Sequence, residues 1–431
     1  MARSKVVPVD RSADFDLSEL FFSTTDPKGR IKSCNDVFLR IAGYPASEAI
    51  GAPHSLVRHP DMPRCVFRLL WSYLGAGKPI GAYVKNMTSN GEFYWVFAVA
   101  LPIESGYLSV RLKPTSGVIP AVEELYAKLL ATEAGFGTDT PAAMDASTAQ
   151  LVEALGTLGY ESYDRFMVKS LRSEIMSRRT LMPRTSAAEG SNKTGRMFAI
   201  LEDLELLDHL RDVANDQARS SDGVSRSVNR IALNSSICAA RMDERGRALG
   251  VVSEQTSIIS GDISREARIL ETEQSVLDET IEQTSLQVSV ATLLVETEAY
   301  FLSRSHIADA DRAQQIEDFG ATCEELSSML KQSYSAVAGS AAEGVAQLRK
   351  SLRTFGAITD RFSRILLTAK VNHVTGRSIS ETVEGGQQFS GLLDELAGVS
   401  NAARASLDEL QDLVDSVDRR VKRWNLQAVG A

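Results

Sequence analysis

Two periodicities divide this chain. Between about residues 15 and 115, short apolar runs alternate with turn residues. Beyond that, apolar positions recur every three or four residues over long stretches. In the first region, Leu20 to Thr25 predicts a strand. Asp26-Pro27-Lys28-Gly29 predicts a turn, with proline preset for the first corner and glycine for a positive φ. Ile31 to Ser33 resumes the strand. Asn35 can cap a short helix carrying Val37, Phe38 and Ile41 that ends at Gly43. Pro60 through Leu74 predicts a longer helix with Met62, Val66, Leu69, Leu70 and Tyr73 on one face. Three strands follow, at Ile80 to Met87, Phe93 to Leu101 and Tyr107 to Leu112. Ser89-Asn90-Gly91 and Glu104-Ser105-Gly106 join them as hairpin turns. The expected head is an α+β domain with one concave antiparallel sheet.

The rest of the chain predicts helix. Pro120 to Ala131 is helical, Gly135 to Pro141 is a break, and Thr148 to Arg179 is one further helix with Leu151, Leu155, Leu158, Phe166, Leu171 and Ile175 on its apolar face. Pro183 to Asn192 is small and polar, and marks a boundary. No proline occurs between Met197 and Trp424, a stretch rich in Ala, Leu, Glu, Arg and Ser that can carry long helices. Asn229 to Val252 is helical on both sides of Gly246, which predicts an antiparallel hairpin bending near Glu244 to Gly246. A fainter echo follows. Arg364 to Val371 has the profile of Arg230 to Ile237, Gly376 or Gly385-Gly386 can supply a bend, and Phe389 to Leu396 starts a returning arm. The chain therefore divides into a flexible start (1–14), an α+β head (15–115), a helical linker (116–192) and an all-α body (193–425). The body can be two tandem hairpins (193–295 and 315–425) packed as an intramolecular four-helix bundle; the alternative is a homo-oligomer that builds the bundle between copies.

Composition narrows the function classes. Lys plus Arg number 47 against 56 Asp plus Glu, a net charge of −9 with no sustained basic run, which argues against nucleic acid as a partner. The four cysteines (Cys34, Cys65, Cys238, Cys323) have no metal-type spacing and read as reduced thiols. The N-terminal residues lack the apolar run of a signal peptide, and no stretch approaches the roughly 18 apolar residues of a membrane span. The expected setting is the bacterial cytoplasm. No catalytic constellation, phosphate loop or metal spacing is present, so the chain does not read as an enzyme. His54, His209, His306 and His373 are isolated and read as surface, loop or packing residues.

The densest chemistry is Val57-Arg58-His59-Pro60-Asp61-Met62-Pro63, which places a guanidinium, an imidazole and a carboxylate within four residues. Such a cluster at a helix start suits an anionic or hydrogen-bonding ligand. It equally suits a structural network in which Arg58 pairs with Asp61. Trp71 alone can be core or a platform for a ring, and either Tyr94 or Trp95 must face inward from an alternating strand.

The order TTDPKGRIKSCNDVFLRIAGY, then VRHPDMP with Trp71 downstream, then KNMTSNGEFYWV resembles a PAS domain, and more narrowly the flavin-binding PAS of aerotaxis receptors. That resemblance covers about residues 15 to 115. It implies FAD held non-covalently. Arg58 and His59 would serve the phosphate-bearing side, Asp61 would orient them or accept a hydrogen bond, Trp71 would offer a planar face, and Asn86 would meet the donor–acceptor edge of the flavin ring. Some PAS domains bind haem, for which His59 is the candidate ligand.

In the body, Ala232-Leu233-Asn234, Ala239-Ala240-Arg241, Glu244-Arg245-Gly246-Arg247 and Val251-Val252 resemble the signalling tip of methyl-accepting chemotaxis receptors. The resemblance implies contact with a chemotaxis coupling protein and a histidine kinase through Asn234, Ile237, Arg241, Glu244, Arg247 and Val251. Cys238 stands where that family has glutamate, and Arg226 and Arg230 stand where it has apolar trimer contacts. Two guanidiniums in an apolar seam are costly unless paired. The tip can therefore also read as a bundle turn with no such partner. Gly320 to Ser328, with Glu324 and Glu325 at its centre, fits the pattern receptor methyltransferases use. Together these resemblances imply a soluble sensory transducer for redox or oxygen supply. The competing class is a PAS scaffold serving a partner outside chemotaxis, such as a biofilm, cell-cycle or second-messenger component.

Overall fold

The computed structural model describes residues 6–182, 193–242, 247–303 and 319–424. The described residues form two compact units: those within 1–201 and 285–340 make one, and those within 202–284 and 341–426 the other.

The first unit contains a five-stranded antiparallel sheet in the order β2-β1-β5-β4-β3, with β1 Phe21–Thr25, β2 Ile31–Cys34, β3 Ile80–Met87, β4 Phe93–Ile103 and β5 Gly106–Leu112. Between β2 and β3 lie α1 Asp36–Ala42, α2 Ala46–Ala49, a 3-10 turn His54–Val57 and α3 Arg64–Gly75. The α+β arrangement predicted from the apolar runs is present. Asn35 caps α1, its side chain accepting from the Phe38 N–H, and Gly43 closes that helix at φ 72°. The helix predicted from Pro60 begins at Arg64 instead. Pro63 occupies the N-cap, and a proline disfavours helical geometry in the residue before it, so the helix does not extend back through Met62.

Three further helices pack in this unit: α4 Ile119–Gly135, α5 Thr140–Thr157 and α6 Tyr163–Leu181. The single helix expected over Thr148 to Arg179 is two. Gly159 turns at φ 83°, and Ser162 starts α6 by accepting from the Arg165 N–H, so local capping overrides the shared apolar period. Leu158 is accordingly exposed rather than on a packed face. Helix α6 docks through buried Glu174, which accepts from the Tyr83 hydroxyl at 2.7 Å and the Ser116 N–H at 3.0 Å. Glu133 on α4 accepts from the Arg64 and Cys65 N–H groups, each at 3.0 Å. It thereby supplies the N-terminus of α3 with the cap that Pro63 cannot.

Four long helices follow: α7 Lys193–Ala240, α8 Arg247–Ser303, α9 Cys323–Ser380 and α10 Gln387–Val421. In the second unit their segments close a ring of antiparallel neighbours. Ser236 meets Ser253 at 2.9 Å between α7 and α8, and Asn372 donates to Thr256 at 2.8 Å between α8 and α9. His373 meets Asp394 at 2.9 Å between α9 and α10. Arg230 reaches Glu395 at 2.6 Å, and Arg420 reaches Asp203 at 2.7 Å, between α7 and α10. The described part of this unit is thus an up-down four-helix bundle within one chain. Gly385, at φ 85°, lies in the α9–α10 turn, whereas Gly376, the other candidate bend, stays helical. A Cβ on Gly376 would come within 2.6 Å of Leu393 and Val252, so its role is close helix approach. Cys238, Ala239, Leu249, Val252, Phe389 and Leu393 form one apolar cluster, which places the ends of α7 and α8 beside the α9–α10 turn.

The segments Pro183 to Asn192 and Glu244 to Gly246, and His306, lie outside the described residues. No helix among the described residues is long and apolar enough to cross a membrane.

Replacing Glu133 with Ala would orphan two amides at the start of α3. The expected loss is about 1–3 kcal/mol of stability, read from denaturant unfolding of the full chain. A change below about 0.5 kcal/mol would show that water caps the helix equally well.

Candidate functional site

Strand alternation decides what lines the concave face of the sheet. Ser23 and Thr25 on β1, Val84 and Asn86 on β3, Ala98 and Ala100 on β4, and Tyr107, Ser109 and Arg111 on β5 share it. Register places Arg111 opposite Ala98 and Ser109 opposite Ala100. Four of these residues are Ala or Ser, so the centre of the face carries little side-chain volume. The opposite residues are large: Phe22, Tyr83 and Phe97 are fully buried on the other face. A cavity of about 300 Å³ results, closed by Phe67, Leu70 and Trp71 of α3 and by His54.

Of the residues singled out in the sequence, Arg58, Trp71 and Asn86 line this cavity. Arg58 is held by donating to the Met62 carbonyl at 2.8 Å, with its guanidinium 4.2 Å from the centre of the Phe67 ring. It does not pair with Asp61. Asn86 is buried, and its backbone bridges to that of Arg58. Trp71 is 44% exposed and packs edge-on to Tyr107 at 5.5 Å, so its ring belongs to the cavity rim rather than to a core.

His59 and Asp61 do not line the cavity. The His59 ring is buried beside Phe93, and its Nδ1 accepts from the Asp61 N–H at 3.1 Å. Burial holds its imidazole below the usual histidine range. Asp61 is exposed and pairs with Lys85 at 2.8 Å. The heptapeptide thus divides: its arginine faces the cavity, while its histidine and aspartate form a local network with Lys85. Tyr94 is the inward residue of its pair and stacks on Phe21 at 5.6 Å, while Trp95 donates to Glu123 at 2.9 Å.

His54, read in the sequence as a surface or loop residue, is a cavity residue. Its Nε2 lies 2.6 Å from Arg111 Nη2, and its backbone N–H is fixed to the Gly29 carbonyl at 2.8 Å. Burial, reinforced by the adjacent Arg111, pushes the imidazole down to about 3, so at neutral pH Nε2 accepts from the guanidinium. Arg111 is 4% exposed, and burial pushes it down to about 10. Its Nη2 also donates to Ser23 Oγ at 3.1 Å, while its Nη1 has no hydrogen-bond partner among the described residues. Sequence reasoning missed both residues. Arg111 lies in a mostly apolar strand that reads as core, and a charge at an inward position of such a strand was the available signal.

In the bundle, Asn234, Ile237, Arg241, Arg247 and Val251 are all exposed, at the adjoining ends of α7 and α8; Glu244 lies outside the described residues. Arg226 and Arg230 do not sit in the core of the bundle. Both are exposed, and they pair with Asp222 at 3.1 Å and Glu395 at 2.6 Å. Cys238 is buried in the bundle core. Glu324 and Glu325 are exposed in the first turn of α9, and Glu325 accepts from the Thr322 N–H at 2.8 Å while Thr322 Oγ1 accepts from the Glu325 N–H at 3.2 Å. That is a capping box, which gives Glu325 a structural task.

Residues 31–109 match the family model of the PAS fold. Over 112 residues the chain is 45% identical to the aerotaxis receptor of Escherichia coli, a match covering 25% of this chain and 22% of that receptor. It is also similar to solved structures. One is a light-oxygen-voltage domain studied with a flavin analogue (22% identity, 24% of this chain and 83% of that one, TM-score 0.21). Another is a Rhodobacter sphaeroides LOV protein (18% identity, 32% and 86%, TM-score 0.21). The head is therefore a PAS fold, and long helices follow it. It resembles an aerotaxis receptor over this region, which is about a fifth of that receptor's length.

His54 also predicts a pH response. Its folded pKa lies below its unfolded value of 6.5, so the unfolded state binds more protons. The stability this neutral ring contributes is fully present above pH 6.5 and is lost as pH falls toward 3. Unfolding at pH 7 and pH 5 should show a smaller acid loss in His54→Gln than in wild type. Equal losses would mean that the ring charges without cost.

Proposed function

We propose that this chain is a sensory transducer in which the PAS cavity holds FAD and the helical bundle reports the cofactor's redox state. The cavity carries the reading. Its volume of about 300 Å³ suits a fused ring system, its rim offers the Trp71 and Tyr107 rings, and its wall offers Asn86 and two guanidiniums. The likeness to the E. coli aerotaxis receptor over this region supports the choice of flavin. A bound flavin would supply reversible proton-coupled electron transfer. Asn86 would hold its polar edge, Trp71 would shield its rim, and Arg58 would serve the anionic side.

Haem fits less well. The His59 ring does not line the cavity, and the Nε2 of His54 is engaged by Arg111. Output would pass to a chemotaxis coupling protein and histidine kinase through the exposed residues around Ile237 and Val251. A PAS scaffold serving another partner is the second reading. The observation that favours it is the tip itself, where Arg226 and Arg230 present charge at the surface. Pull-down with a coupling protein separates the two: retention supports the kinase route, and loss supports the scaffold.

The purified chain should be yellow, with the two-band absorption of oxidised flavin. A Soret band would select haem, and a colourless protein would sink the redox reading. Asn86→Ala and Trp71→Ala should each lower flavin content about tenfold with the fold intact, the loss expected for about 1.4 kcal/mol of binding. Full retention in both would remove these residues from the site.

A further inference from the structure

The cavity wall holds a cation with no counter-charge. Arg111 sits on β5 at the cavity wall, 4% exposed, and no carboxylate is among the residues that line the cavity. Nη2 is shared between the Ser23 hydroxyl and the His54 ring. The guanidinium lies 5.7 Å from the centre of the Phe38 ring. Nearby Cys34 and Tyr94 keep their protons at neutral pH, since burial pushes the Cys34 thiol up to about 12 and raises the Tyr94 phenol further. No carboxylate pairs with Arg111 among the described residues, and Nη1 donates to nothing. A buried charge left uncompensated costs several kcal/mol, and a buried donor without an acceptor adds to that. Its cross-strand neighbours on the two sides are Phe21 and Ala98, neither of which carries an acceptor side chain. The missing partner must come from whatever fills the cavity.

We propose that Arg111 is an anion-accepting subsite of this cavity, and that it meets the negative charge a flavin ring carries once reduced. This rests on the flavin reading above. Two electrons from an external donor, with one proton from water, leave such a ring one negative charge at neutral pH. Arg111 keeps its own proton throughout. It contributes a fixed positive charge and a free N–H, both in a site where the surrounding protein screens poorly. Neutral His54 acts as the positioning residue, since its ring accepts from Nη2 and fixes the orientation of the guanidinium. The pocket then binds reduced flavin more tightly than it would without the guanidinium, and the midpoint potential rises by about 30 mV for each tenfold of that preference.

The test is an anaerobic dithionite titration of the flavin-loaded full chain against a reference dye, in wild type, Arg111→Gln and Arg111→Lys. Glutamine keeps a donor toward Ser23 but removes the charge; lysine keeps the charge. Arg111→Gln should lose about tenfold in preference for reduced over oxidised flavin, read as a midpoint about 30 mV more negative. Arg111→Lys should recover at least half of that shift. Loss of flavin from folded Arg111→Gln with retention in Arg111→Lys supports the subsite as well. Equal midpoints in all three proteins overturn the role of Arg111 and leave the flavin reading standing. A wild-type chain that holds no flavin overturns both.

Discussion

A sheet buried on both faces must fill the space on each side, and this one fills only the outer face. Phe22, Tyr83 and Phe97 are packed against helices there, whereas Ser23, Ala98, Ala100 and Ser109 leave the concave face bare. Were a 300 Å³ apolar void closed and dry, it would cost on the order of 7 kcal/mol, comparable with the whole stability of a domain. The residues around it are not those of a collapsed core. Two guanidiniums, an amide and a half-exposed indole surround it. Small side chains make the volume, and the polar groups state what should enter.

The elements after the sheet hold this arrangement in place. Glu133 caps the helix that closes the cavity, Glu174 fixes α6 to β3, and Arg178 donates to the Leu17 carbonyl at 3.0 Å, just before β1. Arg178 also pairs with Glu296, a residue of α8 that is buried with it. Arg178 thus ties the segment that leads into β1 to a long helix. In the second unit, the two hairpins pair as halves of one bundle.

Much of this was legible because it is local. Asn35 and Gly43 announce a cap and a stop, Asn90-Gly91 announces a hairpin, and the alternation of β3 to β5 announces a two-sided sheet. The helix ends were less legible. Pro63, Gly159 and Ser162 act through backbone geometry that an apolar period does not register. The site was half legible. Arg58, Trp71 and Asn86 line the cavity, but His59 and Asp61 turn toward Lys85. Arg111 and His54 meet across 57 positions of sequence, so only the folded sheet brings them together. In the same way, Arg230 reads as a misplaced charge until Glu395 appears opposite it.

The central claim is that the concave face is built around a flavin. Native mass spectrometry of the chain as purified, under conditions that preserve non-covalent complexes, tests it most directly. A concave face that holds FAD gives a mass above that of the polypeptide by one FAD per chain, lost on denaturation. The mass of the bare polypeptide, or of a haem complex, would contradict it.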